Sequence, residues 1–319
     1  MTASPQSQPT PADPTASPTI RLVDVSHWYA NVVAVNNISF AVGPGITGLL
    51  GPNGAGKSTI LHMITGFLKP SSGSVEIMGG PAWGNREIYR QVGLVPEREA
   101  VYPFLSGYEF VLLSARLHKL PDPHEAAKRA IRMVDMEDAQ HRKTGGYSKG
   151  MKQRVKLAAA LVHDPPLLLL DEPFNGADPG QRLRMMGLLR EMAAAGRTVV
   201  FSSHILEEVE RLGDNVLVIV AGRLAASGDF HAIRRLMTDH PHTFTLRSND
   251  DRRLAAALVA DPSVLGIEFR DGRLSVQTAD FGAFTLSAPR VARSGGITLF
   301  EFLPADQSLE SVFTYLVKR

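Results

Sequence analysis

The chain has 319 residues, 44% hydrophobic and 21% charged, with a formal net charge of +2. That length supports a large core and two domains, and so small a charge excess gives no footprint for nucleic acid. With no cysteine at all, disulfide frameworks, zinc–thiolate sites and thiol catalysis are excluded.

Residues 1–19, MTASPQSQPTPADPTASPT, carry no large apolar side chain after Met1. Such a segment buries too little surface to offset its ordering entropy and reads as a disordered tail. It lacks the early positive charge and apolar centre of a signal peptide. The longest apolar runs, LLLL at 167–170 and VLVIVA at 216–221, fall far short of the roughly 20 residues needed to span a bilayer.

Order begins at IRLVDVSHWY. The run NNISFAVGPGITGLLG supplies strand-like segments that end at a glycine-rich loop. KSTILHMITGFL follows as a helix, with Ile60, Leu61, Ile64 and Phe67/Leu68 at helical spacing. GSVEIMG and YRQVGLVP are short strands by composition. Residues 107–140 read as mostly helical, split by Pro121 and Pro123, and VKLAAALVHD is helical. PPLLLLDEP is an apolar run between prolines, the pattern of a strand buried on both faces. QRLRMMGLLREMAAAG is a helix stopping at Gly196, and RTVVFSSH is another buried strand. Strands alternating with helices predict a mainly parallel α/β sheet. After about Gly228 the texture changes. HTFTLRS, LGIEFRDGRLSVQT and GITLFEFLP are strand-like, Asp271-Gly272 marks a hairpin, and DDRRLAAALVAD and SLESVFTYLVKR are helical. A small α+β domain of βαββαβ order with a final helix is expected for 242–319.

Gly51-Pro52-Asn53-Gly54-Ala55-Gly56-Lys57-Ser58-Thr59 satisfies the P-loop pattern. Its glycines let backbone N–H groups converge on a triphosphate, and the following helix adds its positive end. Lys57 would reach the β and γ phosphates and the Ser58 hydroxyl would ligate Mg²⁺. The loop alone does not separate kinases, GTPases and ATPases. Asp171-Glu172, ending the Leu167–Leu170 run, narrows the choice: the strand delivers Asp171 to the Mg²⁺ shell and sets Glu172 to polarise an attacking water.

From about Ile20 to Gly228 the chain resembles the ATPase domain of the ATP-binding cassette (ABC) family, a P-loop NTPase fold with a helical subdomain, here about 97–150. Tyr29 matches the aromatic that stacks on adenine. YSKGMKQR at 147–154 stands where the signature motif belongs, NGAD at 175–178 resembles the D-loop, and His204 matches the switch histidine. Taken alone, Tyr29 and Trp28 read as core aromatics, His204 as a hydrogen-bonded loop histidine, and Asp178 as a helix N-cap before Pro179. The resemblance gives them to ATP: Ser148, Gly150 and Asp178 to its binding, His204 to the γ-phosphate.

Two motifs depart from the family pattern. The signature usually reads LSGGQ; here it is Tyr147-Ser148-Lys149-Gly150-Met151, with Ser148 and Gly150 kept and Lys149 between them either pointing to solvent or adding charge near a γ-phosphate. The Q-loop glutamine is replaced by Glu97, a charged and harder oxygen ligand, expected to support the metal.

The resemblance implies a homodimer with two ATP between the P-loop of one copy and the signature of the other. It also implies an integral membrane permease on a separate chain, which would hold this one peripherally on the cytoplasmic side of the membrane. Val101, Tyr102, Pro103 and Phe104 are a candidate docking groove or simply pack their loop. The ending SLESVFTYLVKR resembles subunits of bacterial drug and antibiotic exporters, and residues 229–319 form the accessory domain. A soluble ABC ATPase of translation or DNA repair is the alternative, and the weak net charge speaks against nucleic acid as a partner. A small-molecule kinase would share the P-loop but not the signature segment and switch histidine.

Overall fold

The computed structural model describes residues 18–98, 101–229, 242–270 and 273–304. The expected tail up to residue 17, the Asp271-Gly272 turn and the final helix SLESVFTYLVKR lie outside the described residues.

Three sheets organise the described residues. The first is antiparallel and has the order β2 (Val32–Val42), β1 (Ile20–Tyr29), β4 (Ser72–Ile77), β5 (Gly80–Pro81). It stands beside the mainly parallel sheet that the alternation predicted. That second sheet has the order β10 (Arg223–Asp229), β9 (Asn215–Val220), β3 (Gly45–Leu50), β8 (Thr198–Ser203), β7 (Leu167–Leu170), β6 (Val92–Val95). Only β10, at its edge, runs antiparallel. The four leucines of β7 explain why this run has no polar face. Leu168 and Leu170 enter one core and Leu167 and Leu169 the other, all fully buried.

On one side of this sheet α1 (Lys57–Ile64) packs with the antiparallel sheet, burying Ile60, Leu61 and Ile64. The helix stops short of the expected Leu68 because Thr65 closes it and Gly66 turns to φ +70°. On the other side lie α2 (Gly107–Leu117), α3 (Pro123–Met133), α4 (Lys149–Leu161) and α5 (Pro179–Ala194), followed by α6 (Leu206–Leu212). Their starts are encoded locally. Ser106 and Glu109 form a capping box, Asp122 caps a helix opening on Pro123, and Asp178 caps one opening on Pro179. Tyr89 and Arg90, read as strand, sit in a 3₁₀ turn instead, because Asn85 caps a helical turn there with its side chain on Glu87 N.

The third sheet is wholly antiparallel, in the order β12 (Val264–Arg270), β13 (Arg273–Thr278), β11 (His242–Ser248), β14 (Leu299–Pro304). With α7 (Asp251–Leu258) and α8 (Phe281–Ser294) it makes the expected βαββαβ order, the split-βαβ arrangement. Its separate core holds Phe244, Leu246, Leu254, Leu258, Val276 and Phe284. The boundary expected between 228 and 229 runs through the end of β10. No helix among the described residues is long and apolar enough to cross a membrane.

Candidate functional site

Register brings the chemistry together. Leu50 of β3 pairs with Ser203 of β8, Phe201 of β8 with Leu170 of β7, and Leu170 with Val95 of β6. The residues that follow these strands therefore emerge along one carboxyl edge: Gly51, His204, Asp171 with Glu172, and Pro96 with Glu97. That edge is where open α/β sheets bind ligands.

Lys57 opens α1 and is only 6% exposed. Its Nζ donates to the carbonyls of Gly51 at 2.8 Å and Pro52 at 3.3 Å, and lies 3.3 Å from Oε1 of Glu172. Oε2 of Glu172 is 2.9 Å from Nδ1 of His204. Buried Glu172 thus sits between a cation and an imidazole. Its backbone is in the left-handed region, φ +47°. An L-residue there is strained and persists only where neighbours fix it. The fixing group is Ser202, fully buried. Its hydroxyl accepts the Glu172 N–H at 2.8 Å and donates to Asp171 Oδ1 at 2.6 Å. One hydroxyl therefore positions both acidic residues.

The loop itself is shaped by its glycines. A Cβ on Gly51 would lie 2.3 Å from the Ile219 carbonyl oxygen, and one on Gly56 2.5 Å from that of Ala34. Gly54 and Gly56 have φ +80° and +103°, which turns successive N–H groups to one side in an anion-binding nest. A cavity of about 340 Å³ opens there, lined by Ala34, the loop from Asn53 to Thr59, Glu97 and Glu172. A second of about 390 Å³, lined by Glu97, Arg98, Lys149, Lys152, Gln153, Lys156, Glu172 and Asn175, shares the two glutamates.

These features fit a nucleoside triphosphate with Mg²⁺. The nest, the free first-turn amides of α1 and Lys57 suit phosphate oxygens. The Ser58 hydroxyl and the Asp171 and Glu97 carboxylates are hard oxygen donors. Among the described residues there is no cluster of three or more metal-ligating His, Cys, Asp or Glu side chains. Mg²⁺ held by a few protein oxygens together with phosphates and water needs none.

A family profile described as ABC transporter matches residues 35–175. An ABC transporter ATP-binding protein of Bacillus subtilis, YxlF, is 32% identical over 293 residues, covering 91% of this chain and 96% of that protein. The chain belongs to the ABC transporter ATP-binding proteins. It is an ATPase of that family. An ABC transporter ATP-binding protein of Nostoc, all4389, is 42% identical over 203 residues, spanning 62% of this chain and 60% of that protein's own length. The Nod factor export ATP-binding protein I of Burkholderia lata is 38% identical, over 66% of this chain and 70% of that protein. Among solved structures, an ATP-binding subunit of an ABC transporter superposes with a TM-score of 0.63 at 32% identity, over 68% of this chain and 92% of its own. The dimeric bacterial cassette MJ0796 gives 0.63 at 25%, over 66% and 98%.

Within this ABC cassette the remaining expected residues sit as follows. Ser148 is exposed and caps α4, accepting the Met151 N–H at 3.2 Å. Gly150 is buried so close to Gln181 that a Cβ would meet Oε1 at 1.7 Å. Asp178 caps α5 through the Gln181 N–H at 2.9 Å. Signature and D-loop are therefore in contact through Gln181, but Ser148, Gly150 and Asp178 do not line the P-loop cavity. Tyr29 and Trp28 are not core aromatics: they are 48% and 47% exposed, because β1 ends there, and Tyr29 rests edge-on against His27. Lys149 has a contact that neither expectation named. Its stem lies over Gly176 of the D-loop while the residue remains exposed and lines the second cavity. In the candidate docking segment, Val101 packs on the core, whereas the rings of Tyr102 and Phe104 are exposed and 5.8 Å apart. Two residues were missed from the sequence, Ser202 and Lys156. The only local trace of Ser202 is that it is the first of two serines closing a strand with an apolar centre.

Proposed function

We propose that this chain is the ATP-hydrolysing subunit of an exporter, dimerising around two ATP and driving a separate membrane permease. The observation that carries the reading is the Lys57–Glu172–His204 line at the mouth of the P-loop. The Nod factor export proteins favour export, and the dimeric MJ0796 cassette favours the paired assembly.

Lys57 is satisfied by Gly51, Pro52 and Glu172. Phosphate oxygens offer the ammonium more negative charge than one carboxylate. As ATP binds, Lys57 moves from Glu172 to phosphate, and Glu172 is released to accept a proton from water at its carboxylate. His204 keeps Oε2 engaged and so fixes the carboxylate plane. Ser202 holds Asp171 and Glu172 in register. When bound, Mg²⁺ neutralises phosphate charge, with Ser58, Asp171 and Glu97 as its protein oxygens. Residues of the P-loop, Gly51 to Thr59, bind phosphate, and Tyr29 on its exposed strand end takes the base. Ser148 and Asp178 face the partner's nucleotide, and Gly150, packed on Gln181, shapes the backbone beside Ser148 that binds it. The exposed pair Tyr102 and Phe104 meets the permease, which holds the chain peripherally at the membrane.

Glu172→Gln keeps the shape and removes the proton acceptor. With ATP it should accumulate as a dimer with two nucleotides per pair, read by light scattering and nucleotide counting, while hydrolysis is lost. A monomer under saturating ATP would refute the paired site. Co-expression with the permease should bring the protein into the membrane fraction; recovery on ribosomes or DNA instead would favour the translation or repair reading.

A further inference from the structure

The segment after β6 carries an unusual fastening. Asp171 N–H to Val95 O, at 2.8 Å, is the last bond of the strand ladder there. Beyond it, Pro96 has no N–H, and the carbonyls of Pro96, Glu97 and Arg98 turn away from the sheet. All three are taken by one group, Nζ of Lys156 on α4, at 2.7, 3.3 and 3.1 Å. Lys156 is only 4% exposed. An ammonium has three N–H donors and no acceptor, so it suits a cluster of carbonyls such as this one. A buried ammonium is costly unless so satisfied, which makes the contact exacting about where the segment lies.

Glu97, in the middle of the fastened stretch, lines both cavities together with Glu172. Ser148 caps the helix that carries Lys156. The geometry points to Lys156 as a positioning residue: it ties the Glu97 segment to α4 and so sets the Glu97 carboxylate at the nucleotide cavity. The inference rests on the reading of Glu97 as a site residue.

The test uses the full chain with Lys156→Met, which keeps the packed stem and removes the donors, and Lys156→Gln, which keeps a donor. In protein free of nucleotide, the carbonyl ¹³C shifts of Pro96, Glu97 and Arg98 should move in Lys156→Met and less in Lys156→Gln, with α1 carbonyls unchanged. ATP turnover against Mg²⁺ is then measured for Lys156→Met, Glu97→Ala and the double variant. Each single variant should lower turnover about tenfold and raise the Mg²⁺ needed for half-maximal rate, and the double should be no worse than Glu97→Ala. Unchanged carbonyl shifts, or losses that multiply in the double variant, would overturn the positioning role alone. A Glu97→Ala protein with unaltered turnover and Mg²⁺ dependence would overturn it together with the reading of Glu97.

Discussion

His204 Nδ1 lies 2.9 Å from Oε2 of Glu172 although 32 residues separate them in the chain. The contact exists because β7 and β8 are adjacent and in register, so both residues leave the sheet at the same edge. His204→Ala should leave Glu172 held by Lys57 and Ser202 alone. We expect turnover to drop on the order of 10²-fold, the range for losing one partner in proton transfer, with ATP affinity falling far less, since the P-loop and Lys57 still grip the phosphates. Steady-state hydrolysis and equilibrium nucleotide binding read the two separately.

Ser202→Ala removes a hydroxyl that serves two acidic neighbours at once. The Glu172 N–H and one oxygen of Asp171 then lose a buried partner. That costs about 1–3 kcal/mol of stability by denaturant unfolding. Turnover should fall further than that of a variant with equal loss of stability elsewhere, because the strained Glu172 backbone loses the group that holds it.

The two loop glycines with positive φ should respond differently to alanine. A Cβ added to Gly54 would have nothing within 4 Å, so Gly54→Ala meets only the left-handed backbone penalty, about 1–2 kcal/mol. Gly56→Ala adds a collision with the backbone of Ala34 and should be clearly the less stable variant. Thermal unfolding without nucleotide tests this order.

How much of this was legible beforehand follows from distance along the chain. The P-loop and the acidic strand end are contiguous in sequence, so their residue types announce them. The βαββαβ order of the third sheet was readable for the same reason, from alternating apolar runs. Ser202 and Lys156 were not, because each acts on groups some 30 and 60 residues away, and no local pattern encodes such a partner. The first antiparallel sheet was also hidden. Its strands β1, β2 and β4 are divided by the P-loop helix, and composition does not say which strands will pair.

A pH effect is expected far from the nucleotide. His163 follows α4 and stacks on His118 with ring centroids 3.7 Å apart. Burial first, and the neighbouring His118 second, push the His163 imidazole down to about 4. The unfolded chain binds this proton near pH 6.5, so stability is full above that value and declines as pH falls toward 4. His163→Phe keeps the stack and removes the titration. Between pH 6.5 and 4 the denaturant midpoint of the wild type should therefore fall more steeply than that of the variant.

The departure at Lys149 can be tested through what its stem covers. A Cβ on Gly176 would come within 3.0 Å of Lys149 Cδ and 3.2 Å of its Cβ, at φ +74°. Gly176→Ala in the natural chain therefore meets backbone strain and a displaced lysine together. With Lys149→Gly already in place, only the strain remains. The second alanine should then cost less, by a coupling of roughly 0.5–1 kcal/mol. Because signature and D-loop are joined through this contact and through Gln181 at Gly150, the same pair should couple in turnover as well. Independent effects on both stability and turnover would mean that Lys149 merely lies over the loop and transmits nothing to it.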